Sequence, residues 1–320
     1  AVERDIEFTE SGGTLPGADP DAVSEVARKR GTDQLGTLGA GNHFVEIDEV
    51  EEIFLPDAAA AYGLFPGQAV FFIHSGSRGL GYQVCDDYLD EMASYMRKER
   101  VFVPDRQLAC AHIRSDEGRR YLAALAAAAN YAFVNRQLLA HQVRETVEKA
   151  LRMGPADAGI RLVYDVGHNN AKFEQHEAAG RRRKVLVHRK GATRALPPGH
   201  PELPGAYRGA GQPVFIPGDM GRASYVLAGA PEAMRVSFGS TCHGAGRRLS
   251  RTAARQSLRG RSVFAEMERL GVLVACTSRK TLAEEIPEAY KDAGSVVDVV
   301  DRAGIARKVA RLKPVAVVKG

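Results

Sequence analysis

The chain has 320 residues, 44% of them hydrophobic and 26% charged, with a formal net charge of +5. That length can bury a large core, the composition excludes a disordered or fibrous chain, and no apolar run approaches the ~20 residues of a membrane span. Cys85, Cys110, Cys242 and Cys276 form no C-x-x-C pair, which argues against a zinc ribbon or disulfide framework and for a reducing, cytoplasmic setting.

The opening A-V-E-R-D-I-E has neither an initiator methionine nor the pattern of a secretory signal, so a fragment or processed chain is expected. Residues 1–36 are polar and glycine-rich and read as a surface segment with a short helix through Val23, Val26 and Ala27. In Q-L-G-T-L-G-A-G-N-H-F-V-E-I, glycine punctuation leads into an alternating run from His43 to Ile47, which predicts a strand. On it Asn42, Phe44 and Glu46 oppose His43 and Val45, unless a bulge at Gly41 turns them together.

Residues 69–74, A-V-F-F-I-H, predict a buried strand with His74 at its carboxyl end, followed by S-G-S-R-G-L-G, where Arg78 is placed to clamp an anion. Helices are predicted over 82–100 and about 115–151, the second capped by Ser115 and Asp116, with Leu122, Leu125, Ala129 and Phe133 on its core face. His141 reads as structural or exposed, and His112 has no assignment.

The segment R-L-V-Y-D-V-G-H-N-N-A-K-F-E predicts a strand running into a turn that crowds His168, Asn169 and Asn170. His176 falls in a predicted mobile loop and is not a ligand. The run Arg181, Arg182, Arg183, Lys184 is ordinarily a solvated face, and His188, Arg189, Lys190 and Arg194 continue its basic character. Residues 196–213 are a loop by composition. A strand with a glycine turn, V-F-I-P-G-D-M-G-R-A-S-Y-V-L, comes next, then S-F-G-S-T-C-H-G-A-G-R-R. Beyond it Arg248, Arg251, Arg255 and Arg259 predict one basic helical stripe, solvated by default but able to follow a nucleic-acid backbone. A final strand carries Lys319. Together these elements predict a single large mixed α+β domain over residues 1–320, with helices outside and site residues at strand ends and in glycine-rich loops.

His243 stands among small residues, with Arg247 and Arg248 behind it. Glycines let backbone amides approach phosphate oxygens, and a neutral imidazole can attack phosphorus. His43, His74 and His168 each adjoin a predicted strand and form a reasonable metal set, one that calls for an anionic ligand such as Glu46 or Asp165. Metal, nucleophile and arginines together point to phosphoryl or nucleotidyl transfer. Neither a G-x-x-x-x-G-K-[ST] loop nor a K-x-D-G lysine is present.

In order, L-G-A-G-N-H-F-V-E, H-S-G-S-R-G-L-G, D-V-G-H-N-N-A-K, V-H-R-K-G-A-T-R-A, P-G-D-M-G-R-A-S-Y and S-T-C-H-G-A-G-R resemble the signature of the RtcB-type RNA ligases, from about residue 33 to Gly320. The resemblance implies joining of RNA 2′,3′-cyclic phosphate or 3′-phosphate ends to 5′-hydroxyl ends with GTP and manganese(II). By motif it implies His243 as the residue that takes GMP and His43, His74 and His168 as metal ligands. Asn42, Arg78 and Asn169 would hold phosphate, and Phe44, Glu46, Ser224, Tyr290 and Lys319 the guanosine. RNA is the implied partner, with an archease-type activator in some organisms. The family's upstream D-x-x-C element has no match here, so the chain is expected to be the carboxyl-terminal two-thirds of the enzyme, with weak metal binding on its own. Two other readings stay open: a metal-dependent phosphodiesterase that does not need His243 as nucleophile, and an RNA-binding module without chemistry.

Overall fold

In a computed structural model, every residue is described except Ala1, Pro155 and Arg259, and of Val2 only the backbone. In chain order the elements are α1 (Val2–Glu7), α2 (Glu25–Thr32), β1 (Phe44–Ile53), α3 (Pro56–Tyr62), β2 (Ala69–His74), α4 (Arg78–Glu99), α5 (Asp116–Leu151), β3 (Asn169–Ala178), β4 (Arg181–Lys190) and β5 (Ala192–Arg194). Then come β6 (Pro213–Ile216), β7 (Ser224–Gly229), α6 (Pro231–Val236), β8 (Ser240–Cys242), α7 (Arg251–Ser257), α8 (Val263–Arg269), β9 (Leu273–Cys276), α9 (Arg279–Leu282), α10 (Ala293–Arg302) and β10 (Ala306–Lys319).

The main sheet runs β2-β1-β10-β7-β6, antiparallel throughout, with β9 parallel to the last residues of β10. In β1 alternate residues Phe44, Glu46, Asp48 and Val50 are buried, the period-2 pattern of a strand with one packed face. Val50, Tyr62, Val226, Val309 and Leu312 make one core cluster, and Phe44, Met220, Met267, Leu282, Ile286 and Val317 another, so helices and connections cover the sheet in a mixed α+β arrangement. A separate layer packs α2, α4 and α5 through Ala27, Leu80, Val84, Tyr88, Ala124 and Ala128.

Several expectations hold. The strand at 69–74 is β2, and Ser115 caps α5, its hydroxyl accepting from the Gly118 amide. Others change. The helix expected from residue 82 begins at Arg78, inside the glycine loop. No strand precedes His168; residues 162–164 lie outside any strand, a single bridge joins Asp165 to Thr9, and β3 starts only at Asn169. His176 sits on β3 rather than in a loop and is buried against Glu174, 2.8 Å away. The expected arginine stripe is not one helical face. Arg248 precedes Ser250, the cap of α7; Arg251 and Arg255 both reach Glu284, at 3.4 and 3.3 Å; and Arg259 lies outside the described residues.

The largest correction concerns residues 1–36, which do not lie loosely on the surface. Asp5 accepts two hydrogen bonds from Arg144 of α5, at 2.7 and 3.0 Å. Glu10 is fully buried, accepting from Lys172 at 2.6 Å and from the Gly167 amide at 2.8 Å, with Arg194 3.6 Å away. Polarity in this segment marks buried ion pairs whose cations lie more than a hundred residues away. Burial of Glu10 opposes ionisation, but Lys172 and Arg194 outweigh it and bring its pKa down to about 2.

A carboxylate held below its unfolded pKa adds stability above that value and loses it as pH falls through the folded one. Glu10→Gln is therefore expected to lower the unfolding free energy at pH 7 by roughly 3 kcal/mol. Urea melts should show that gap closing between about pH 4.5 and 2; a gap unchanged at pH 2 would contradict the ion-pair account.

Candidate active site

Two glycine-rich loops form one side of the site, tied by direct bonds such as Ser75 Oγ to the Leu38 carbonyl at 2.7 Å and by one shared amide. Asn135 of α5, fully buried, accepts from the Gly36 amide at 2.7 Å and donates to Ser75 Oγ and the Gly76 carbonyl, each at 3.1 Å, and to the Thr37 carbonyl at 3.2 Å. The first loop carries Asn42 and His43, the second follows His74 and leads to Arg78. Gly39 has φ 94°, and a Cβ there would meet the Arg78 guanidinium and sit 2.6 Å from His43 Nδ1. Glycine is what lets the loops close together. Arg78 itself adopts φ 53° and donates from Nε to Thr37 Oγ1 at 3.0 Å.

Against these loops stand His168, at the root of the β3–β4 hairpin, and His243, just past β8. His74 and His168 bring their Nε2 atoms to 3.0 Å, and His243 stacks on His168 with ring centroids 4.4 Å apart. One nitrogen from each of His74, His168 and His243 falls within 4.8 Å of the others. His43 is adjacent, its ring centroid 5.7 Å from that of His74, with Nδ1 fixed 3.0 Å from the Leu38 carbonyl. The four predicted histidines are thus brought together, and the tightest trio includes His243 in place of His43. His74, His168 and His243 line a cleft of about 610 Å³ that also includes Arg136, Thr193 and Pro217.

Burial is the first cause holding all four rings neutral near pH 7. It takes His43 down to about 4, aided by Arg78, and His168 down to about 3, aided by His243. His74 falls well below the ordinary histidine range, through burial and then His168. His243 is lowered by burial and by Lys190. Neutral rings present lone pairs, and Nδ1 of His168 and of His243 is buried without a hydrogen-bond partner. Such a donor set fits a divalent first-row cation. Asp165 is not free for that role, because Arg136 donates to it at 2.6 Å.

A second group lies where β1, β9 and β10 meet. Lys319 Nζ sits 5.6 Å from the Phe44 ring and 3.9 Å from Glu285, and Glu285 accepts from the Tyr290 hydroxyl. Arg247 reaches both Glu285 and Tyr290 and lies over the tyrosine ring. Phe44 also packs edge-on against His74, which links the two groups. Ser224 begins β7, paired with Leu312 of β10, its Oγ accepting from the Gly218 amide at 3.1 Å.

The family model described as tRNA-splicing ligase RtcB matches residues 1–320. The chain belongs to the RtcB family. It is 54% identical over 318 residues to the tRNA-splicing ligase RtcB of Archaeoglobus fulgidus, covering 99% of this chain and 66% of that protein. The Pyrococcus abyssi protein of the same name is also 54% identical over 318 residues, covering 99% of this chain and 35% of that protein. The Methanococcus maripaludis one is 51% identical, covering 99% and 66%. The chain therefore spans between about a third and two thirds of the length of these curated relatives.

Lys319 faces Phe44 and Glu46 and, through Glu285, Tyr290; Asn169 follows His168, and Asn42 is exposed in the turn before β1. Sequence reasoning missed Asn135, Arg136, Glu285 and Asp48, none of which lies in a distinctive motif. Asp48 is fully buried with both carboxylate oxygens unpartnered. Burial pushes its pKa up to about 7; for neighbouring Glu46, burial and then Asp48 raise the value well above normal. A carboxyl group that holds its proton in the fold to about pH 7, but loses it near 3.8 when unfolded, costs stability as pH rises between those values. Asp48→Asn is expected to stabilise the protein at pH 8 by on the order of 4 kcal/mol. That benefit should vanish by pH 4 in chemical denaturation, and a pH-independent benefit would exclude this origin.

Proposed function

We propose that this chain carries the nucleotidyl-transfer centre of a GTP-dependent RNA ligase acting in tRNA splicing or RNA repair, with His243 as the attacking residue. The observation that carries the reading is a neutral His243, with an unpartnered Nδ1, stacked on His168 at the mouth of a cleft beside Arg136 and Lys190. A nucleophile held neutral by burial needs no base to free its lone pair. The names borne by the relatives agree with the reading.

In the proposed reaction an imidazole nitrogen of His243 attacks the α-phosphorus of GTP; an N–P bond forms and pyrophosphate leaves. An oxygen of the RNA 3′-phosphate displaces the histidine, breaking that bond and leaving the RNA end joined to GMP. The 5′-hydroxyl attacks the 3′-phosphorus, a phosphodiester forms and GMP departs. A 2′,3′-cyclic phosphate is first opened by water. His74 and His168, with His43 beside them, would hold a divalent cation, manganese(II) on the family's pattern. When bound it supplies charge neutralisation at phosphate oxygens. Arg78 and Asn169, with Asn42, hold phosphate, while Phe44, Glu46, Ser224, Tyr290 and Lys319 hold the guanosine.

One observation favours a second reading. His243 belongs to the tightest histidine trio, so it could serve as a third metal ligand in a phosphodiesterase. Incubation with GTP and manganese(II), followed by peptide mass spectrometry, separates the two. Acid-labile gain of one GMP on the peptide containing His243, lost in His243→Ala, is expected. Hydrolysis of a cyclic phosphate without any GMP adduct would favour the phosphodiesterase.

Lys319→Met removes the only ammonium facing Phe44 and Glu285 among the described residues. It is expected to raise the GTP concentration for half-maximal adduct formation by about tenfold or more, as for loss of a charged hydrogen bond. An unchanged GTP dependence would remove Lys319 from the pocket.

A further inference from the structure

The β3–β4 hairpin grows directly out of the histidine cluster. Asn169 pairs with Lys190 at its root, the Gly191 amide donates to the His168 carbonyl at 3.1 Å, and Gly191 lies against the His243 ring. Ten residues per strand extend it by about 33 Å. The turn at Ala179 and Gly180 has φ of 52° and 70°, the left-handed pair that matches the twist of a tight hairpin.

Cross-strand register sorts its side chains onto two faces. Asn170, His176, Val187 and Arg189 are buried, and Glu174 is bound there by Arg189 at 2.6 and 2.9 Å. The opposite face carries Lys190, His188, Lys184 and Arg182 along β4, all exposed. Phe173 stands across from Leu186 on that face, half exposed, with Lys184 Nζ 5.2 Å from its ring. Only Glu177, opposite Arg182 near the turn, adds a carboxylate to it. Successive cations on one face of a strand are spaced in steps of about 7 Å, and a cationic row with an aromatic platform is the combination that binds single-stranded nucleic acid.

We infer that the solvent face of the β3–β4 hairpin is a track for single-stranded RNA, with Arg182 and Lys184 against neighbouring phosphates, Lys190 against one farther along at the hairpin root, and Phe173 stacked on a base, leading a strand end to His168 and His243. The inference rests on the RNA-ligase reading for its choice of partner. A protein ligand is disfavoured because the face has cations at one side, one aromatic ring and no apolar groove.

The test is fluorescence anisotropy of a 12-nucleotide single-stranded RNA with a 3′-phosphate, titrated with the 320-residue chain at several salt concentrations. GMP uptake is measured in parallel. Arg182→Glu/Lys184→Glu is expected to weaken binding at least tenfold and to flatten the salt dependence by about 0.7 log unit per log unit of salt for each contact removed. The milder Arg182→Gln/Lys184→Gln pair should flatten it equally, and Phe173→Ala should weaken binding about tenfold with the salt slope retained. Lys98→Glu/Arg100→Glu, at the far end of α4, changes total charge by the same amount and should leave RNA affinity unaltered. Unchanged affinity in both the Glu and Gln hairpin pairs overturns the track, as does an equal loss in the α4 control or an unmodified chain that binds no RNA. Hairpin-dependent RNA binding in a chain whose His243 takes no GMP would support the track while removing the ligase reading.

Discussion

One buried amide holds the site's geometry. Asn135 comes from the middle of α5 and satisfies backbone groups in two separate loops, which would otherwise carry unpaired polar atoms into the interior. Both loops are glycine-rich, and this shared partner acts together with their direct bonds to each other. His43 leaves one loop and His74 enters the other, and the pairing of Phe44 with His74 in the β1–β2 ladder sets the two imidazoles side by side, with Asn135 supporting both loops without touching either ring.

Drying the site has opposite effects on its two kinds of charge. Removing water from imidazoles keeps them neutral and ready to donate electron pairs. Removing water from Glu46 and Asp48 makes them retain protons, since Lys319 is shared with Glu285 and does not compensate both. The result is a site with Arg78 and Lys190 beside its neutral imidazoles, while Arg136 is paired with Asp165. The proposed phosphate would meet positive potential from the first two.

Much of this was legible in the sequence because the chemistry lies where regular structure stops. His74 ends an apolar run, His168 and His243 sit beside glycine, and these breaks in periodicity survive translation into three dimensions. The β2 run was readable because its first five residues are apolar without interruption, whereas the apolar segment before His168 is broken by Asp165 and Gly167 and docks on Thr9 instead of on a sheet. Glu10 could not be recognised, since its partners Lys172 and Arg194 give no local pattern and its neighbours are glycine and serine. The arginine stripe failed for a related reason: Glu284, which pairs with both Arg251 and Arg255, arrives from the turn after α9. The family resemblance identified motif residues but not the supports behind them, such as Asn135 and Glu285.

The pairing of β1 with β10 sets Val45 beside Val318. Most of the chain intervenes, so the central ladder closes a long loop at a correspondingly large entropic cost. Phe44 and Glu46 on one strand, and Lys319 on the other, are brought together only by that closure. A partly folded molecule can own its helices, and even the His168–His243 stack, without bringing Phe44 and Glu46 to Lys319. The nucleotide pocket proposed for these residues is therefore a property of the finished topology.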